Sequence, residues 1–205
     1  MSDTRSLPLA GALFPAATPA AVRGVVLVLA GVALMTLGAK VQVPFWPVPV
    51  TLQTLALPLI AAAFGSRLGA AAILAYLAAG FAGLPVFANT PPAVPGPLYF
   101  MGPTGGYLIA YPIAAFLIGW VAERPAGRNP FVLFAGMVAG GIIVFALGFA
   151  WLAFAAQLSS GAIGLGIEKA WLGGVVPFLL ADLVKAALAA ALITAGHGLL
   201  SRPKA

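Results

Sequence analysis

Long apolar stretches, broken by short clusters of proline, glycine and charge, dominate this chain. They run over residues 24–39, 50–64, 68–82, 104–122, 131–156 and 177–200. A membrane-spanning helix takes roughly 17–25 mostly apolar residues. Each stretch therefore predicts a span, the second one short and bent at Pro58. The breaks are as clear as the runs. Pro44, Pro47 and Pro49 cannot continue a helix. Gly65-Ser66-Arg67 reads as a tight turn, residues 83–103 as a long loop carrying Phe87, Tyr99 and Phe100, and residues 157–171 as a polar, Gly-rich loop. Pro177 suits the first turn of the last helix. The pattern predicts an all-α membrane protein without an internal repeat or a second domain. Residues 1–21 read as a cytoplasmic N-terminal tail, 22–201 as a domain of six transmembrane helices, and 202–205 as a cytoplasmic tail.

Composition agrees with lipid as the solvent. Hydrophobic residues make up 62% of the chain and charged residues 7%, where soluble domains carry about 25% charge. The net charge of +6 does not point to nucleic acid, because the basic residues are scattered singly. Their distribution fixes an orientation instead. With six spans both termini share a side, which holds Arg5, Arg23, Arg67, Arg124, Arg128, Arg202 and Lys204. The other side holds only Lys40 and Lys169. This positive-inside bias predicts cytoplasmic termini, a multi-pass protein of the cytoplasmic membrane, and irregular loops facing outward. The first twenty residues lack the basic start and apolar run of a signal peptide, and Pro8, Pro15 and Pro19 interrupt them. The chain has no Cys, one His and four carboxylates, so disulfides and thiolate metal sites are excluded and no metal centre or cofactor is expected.

Chemistry concentrates at few positions. Asp182 and Lys185 are the ionisable residues that fall well inside a predicted span. Spaced i, i+3 they share a helix face, and a charge in the membrane is a functional-site hypothesis unless it only forms a structural pair. At 1.5 Å per residue, Lys185 lies about 12 Å along the helix from Pro177, deep for a lysine that reaches outward. Thr51, Gln53 and Thr54 put uncharged hydrogen-bonding groups at the outer end of the second span, as ligand contacts or as caps and interhelical bonds. Asn89 stands in the long loop, and Gly105-Gly106 opens the fourth span, where free N–H groups face outward. Gly24, Gly31 and Gly38 form a smooth stripe on the first span, for packing within the chain or for docking a partner. His197 reads as a helix-end residue. No Gly-x-Ser-x-Gly, His-Glu-x-x-His or Walker A motif is present, so neither a membrane enzyme nor an ATPase is expected.

Four of these segments resemble the BioY family, the biotin-specific S components of energy-coupling factor (ECF) transporters. They are Pro47-Val48-Pro49-Val50-Thr51-Leu52-Gln53-Thr54, Gly83-Leu84-Pro85-Val86-Phe87, Gly102-Pro103-Thr104-Gly105-Gly106-Tyr107, and Pro177-Phe178 with Asp182 and Lys185. The resemblance runs over about residues 40–195. It implies an S-component-like six-helix bundle that binds biotin near the outer surface and takes it up without catalysis, under the loops after the first and third spans. It implies Asp182, Lys185 and Asn89 as ligand-holding residues, with Gln53, Thr51, Trp46, Tyr76, Phe87, Tyr107 and Tyr111 as further candidates around the ligand. As partners it implies a transmembrane coupling subunit with two ATPases. The first span lacks the family's Ala-x-x-x-Ala docking pattern, which leaves Gly24, Gly31 and Gly38 as the expected docking stripe. It also leaves open a transporter that works alone or as a homo-oligomer. The competing readings are another small vitamin on the same fold, a membrane enzyme using Asp182, and a structural subunit.

Overall fold

The structure, a computed structural model, describes residues 9–15, 17–93 and 95–200. Arg5, Arg202, Lys204 and the 202–205 tail lie outside the described residues. Helices follow the apolar runs: α1 (Ala20–Lys40), α2 (Gln53–Phe64), α3 (Ser66–Phe81), α4 (Pro97–Met101), α5 (Gly105–Ala122), α6 (Pro130–Phe154), α7 (Ile167–Gly174) and α8 (Val176–Leu200). Local chemistry sets the ends. Gly65 sits at φ +84°, where a side chain would be strained, and this lets α2 turn directly into α3. The Asn129 carboxamide accepts the Phe131 N–H at 2.9 Å and Pro130 occupies the first turn, a strong start for α6.

The helices close into a ring. α1 packs on α2 and α3, α3 on α5, α5 on α6, α6 on α8 and α8 on α2, and α2 also touches α5. Small residues set these distances. A Cβ on Gly119 would lie 2.5 Å from the Ser66 nitrogen, and one on Gly140 2.6 Å from the Ile118 side chain. Close approach of this kind replaces the hydrophobic drive that is missing between helices in lipid. Large apolar side chains such as Leu29, Phe131, Ile142, Leu180 and Val184 point outward.

Several expectations are refined. Among the described residues, four stretches are long and apolar enough to cross a membrane: Ala20–Lys40, Gly105–Ala122, Pro130–Phe154 and Ile167–Leu199. α2 and α3 are apolar but have 12 and 16 residues, or about 18 and 24 Å against about 30 Å of hydrocarbon. The second helix starts at Gln53 instead of residue 50. The reason is a two-stranded ribbon, β1 (Gln42–Val43) against β2 (Val50–Thr51), which draws the proline stretch into a hairpin. The expected loops 83–103 and 157–171 contain α4 and the start of α7. Part of the expected tail is folded: a 3-10 helix, Leu9–Leu13, packs on α2 and α8 and buries Ala10, and Ala20 already opens α1.

At Gly31 and Gly38 the glycine stripe turns inward and packs within the chain, one of its two readings. A Cβ on Gly31 would meet the Ala72 Cβ at 2.6 Å, and one on Gly38 the Gln53 nitrogen at 3.2 Å. Both glycines are buried against α3 and α2 of the same chain, and Gly24 faces Leu68.

Candidate functional site

The ends of α2 and α8 and the loop after α3 meet at one end of the ring and bring the polar residues together. Lys185 on α8 is the centre. Its ammonium donates to the Asp182 carboxylate (Oδ1) at 2.9 Å, to the Thr54 hydroxyl at 2.8 Å and to the Thr51 carbonyl at 2.8 Å. The Thr54 hydroxyl donates in turn to Asp182 Oδ1 at 2.7 Å. An ammonium has three donors, and all three have an acceptor from the protein. Both charged side chains are 14% exposed, so they are paired in the setting where an unpaired charge costs most. Among the described residues, the hydrogen bonds to Asp182 both fall on Oδ1.

A cavity borders this triangle; the space around it, open solvent included, is about 560 Å³. Its polar wall is Thr51, Gln53, Thr54, Thr104 and Asp182, and its aromatic wall is Phe87, Tyr99, Tyr107, Tyr111, Phe145 and Phe178. Pro49, Tyr99 and Thr104 also line a shallower outer space of about 770 Å³, at whose edge Asn89 stands. On the inner side, Thr54, Tyr111 and Asp182 continue into an apolar cleft of about 740 Å³ bounded by Gly140, Leu179 and Leu183 of α6 and α8.

The aromatic wall is braced from behind. Gln53, buried, donates through Nε2 to the Tyr76 hydroxyl at 2.8 Å, and Tyr76 donates to the Val86 carbonyl at 3.3 Å. Phe87 is fully buried, stacked on Tyr99 with centroids 4.7 Å apart and edge-on to Tyr76 and Phe100 at 5.4 Å. The Tyr99 hydroxyl donates to the Ala88 carbonyl at 2.8 Å. Burial raises the pKa of this phenol above its ordinary value, partly offset by a hydrogen bond with Thr104, so Tyr99 stays neutral. Tyr107 donates to the Gly174 carbonyl at 2.8 Å and ties α5 to α7.

The structure thus gathers Asp182, Thr51, Gln53, Phe87, Tyr107 and Tyr111 at one cavity, with Lys185 and Tyr76 directly behind its wall. Asn89 lies farther out, at φ +56° and paired with Gln42, and Trp46 is 67% exposed and off the cavity. Gly105 and Gly106 serve close packing: their Cβ positions would fall 1.8 Å from the Phe100 carbonyl and 2.2 Å from Trp151. Sequence reasoning left Thr54 between a ligand contact and an interhelical hydrogen bond, and did not pick Tyr99 or Phe178 as site residues. The polar end of the second span and the aromatics of the long loop were the available signals.

A sequence model described as the BioY family matches residues 11–202. The chain belongs to the BioY family. Among curated relatives, the biotin transporter BioY of Thermotoga maritima is 39% identical over 167 residues, covering 80% of this chain and 90% of the relative. The probable biotin transporter BioY of Pyrococcus horikoshii is 37% identical over 158 residues, covering 77% and 86%. Among solved structures, the S-component for biotin from an ECF-type ABC transporter superposes with a TM-score of 0.73 at 26% identity, over 89% of this chain and 95% of that one. The family match spans every residue that lines the cavity. Among the described residues, no group of three His, Cys, Asp or Glu side chains is placed to hold a metal ion.

Proposed function

We propose that this BioY-family chain is a biotin-binding S component that takes the vitamin up across the cytoplasmic membrane, and not an enzyme. The observation that carries this reading is the Asp182–Lys185–Thr54 triangle set against a neutral aromatic cavity. A ureido ring needs an acceptor for its N–H groups, and an apolar thioether ring and chain need aromatic walls. Asp182 is the acceptor. Lys185 holds it in place and takes a ligand oxygen only by giving up one of its three partners. Phe87, Tyr99 and Tyr111 receive the apolar part, with Thr51, Gln53 and Tyr107 around them and Asn89 at the mouth. Trp46 joins them only if the 44–49 hairpin folds inward.

In this reading all six apolar helices cross the bilayer, the short α2 and α3 extended by the loops at their ends, and both termini are cytoplasmic. Uptake is driven by a transmembrane coupling subunit with two ATPases. Their docking surface lies elsewhere than the inward-facing Gly24, Gly31 and Gly38.

The test is a biotin titration of the purified protein. Wild type should bind. Thr54→Val should weaken binding about tenfold, the loss of one hydroxyl bridge worth about 1–1.5 kcal/mol. Arg128→Ala, at an exposed cytoplasmic turn, should leave binding unchanged. Folded wild type that ignores biotin but binds another vitamin would replace the ligand and keep the site. Equal effects of the two substitutions would remove the site.

A further inference from the structure

The geometry points to Lys40 as a latch that holds the ligand loop closed, with Gln42 as its second contact. This rests on the biotin-binding reading above. Lys40 is the last residue of α1. Its ammonium donates to the Phe87 carbonyl at 2.8 Å, to the Thr90 hydroxyl at 3.1 Å and to the Thr90 carbonyl. A lysine that merely caps its own helix would bond the last carbonyls of α1. Here every acceptor lies in the loop, 47 or 50 residues away. Two residues on, Gln42 Nε2 donates to Asn89 Oδ1 at 2.8 Å, so the end of α1 and strand β1 grip three of the four residues 87–90.

The gripped residues matter to the ligand. Phe87 forms the aromatic wall of the cavity and Asn89 stands at its outer mouth. Phe87 and Thr90 are 0% and 2% exposed, and their carbonyls need a partner there. Inside the loop the Phe87 carbonyl also accepts from the Thr90 hydroxyl at 2.6 Å and from the Thr90 N–H at 3.4 Å, whereas among the described residues Lys40 is the donor to the Thr90 carbonyl. Lys40 is therefore a positioning residue. It never meets the ligand, and it sets how long the ligand stays.

Hydrogen exchange and ligand dissociation separate this role from a structural one. In ligand-free Lys40→Met, the Thr90 and Ala93 amides should exchange about tenfold faster, while amides in the middle of α5 keep their rates. Biotin should leave about tenfold faster with its association rate changed less than about threefold. Lys40→Arg should recover most of both effects, and Lys169→Met, an exposed outer cation, should show neither. Thr90→Val removes one of the acceptors and gives a milder form of the same pattern should Lys40→Met fail to fold. Unchanged loop exchange in folded Lys40→Met overturns the latch. Faster exchange with an unchanged biotin off-rate overturns its link to the ligand. Wild type that binds no biotin refutes the functional reading, and the exchange data still decide the latch.

Discussion

Lys185→Met should abolish measurable biotin binding and also destabilise the folded protein, whereas Asp182→Asn/Lys185→Met should restore the stability without the binding. The reason lies in the triangle. Removing the ammonium leaves the Asp182 carboxylate, 14% exposed, with only the Thr54 hydroxyl as a donor. Breaking a buried pair from one side costs about 3–5 kcal/mol because the other charge is stranded. The isosteric Asn removes that charge, so the double variant should regain most of the loss. Binding does not return, since charge-assisted hydrogen bonds at about 1.5–3 kcal/mol each amount to two or more orders of magnitude in affinity for the pair. Thermal melting in a fixed detergent and biotin titration read the two quantities separately. A double variant that binds biotin as wild type does would make the pair purely structural.

The fold and the site differed in how much of them could be read from the chain alone. The long helices followed from apolar runs, because a spanning helix satisfies its backbone within one segment and needs only local composition. The ribbon β1–β2 and helix α7 were missed, because two-residue strands and an eight-residue helix depend on contacts with the rest of the bundle. The same division runs through the site. Asp182 and Lys185 stood out because charge is rare in an apolar run and their spacing is local. Thr54 did not, since its partners lie 128 and 131 residues away. Lys40 looked like an ordinary outer cation for the same reason. The glycine stripe was visible as a pattern, but which side of α1 faces α2 and α3 is decided by the whole ring. Tyr76 was drawn into the ligand site by its residue type, whereas the structure uses its hydroxyl to brace the loop behind Phe87.

That brace makes Gly80 a sensitive position although its side chain has no polar atom. Gly80→Ala should cost at least tenfold in biotin affinity and about 1–3 kcal/mol in stability, the usual range for overpacking. A Cβ at residue 80 would lie 2.0 Å from Phe87 Cζ and 2.3 Å from Cε2. Rings often yield to such a contact by swinging aside, and the space open to this one is the cavity it lines. Tyr99 stacks on one face, Tyr76 and Phe100 press on its edges, and Lys40 holds its carbonyl. The displacement must therefore pass to the cavity wall or to the loop. Gly24→Ala is the matched control, since its new methyl would meet only Leu68 at 3.8 Å; it should be neutral or slightly stabilising, as alanine is the better helix former. Adding Phe87→Leu to Gly80→Ala makes room and should recover stability while leaving biotin binding weak, because the flat face that stacks on Tyr99 is gone. Titration and melting of the four proteins separate the two effects. Wild-type affinity in Gly80→Ala would show that the ring can retreat without disturbing the ligand, and would remove Phe87 from the wall that holds it.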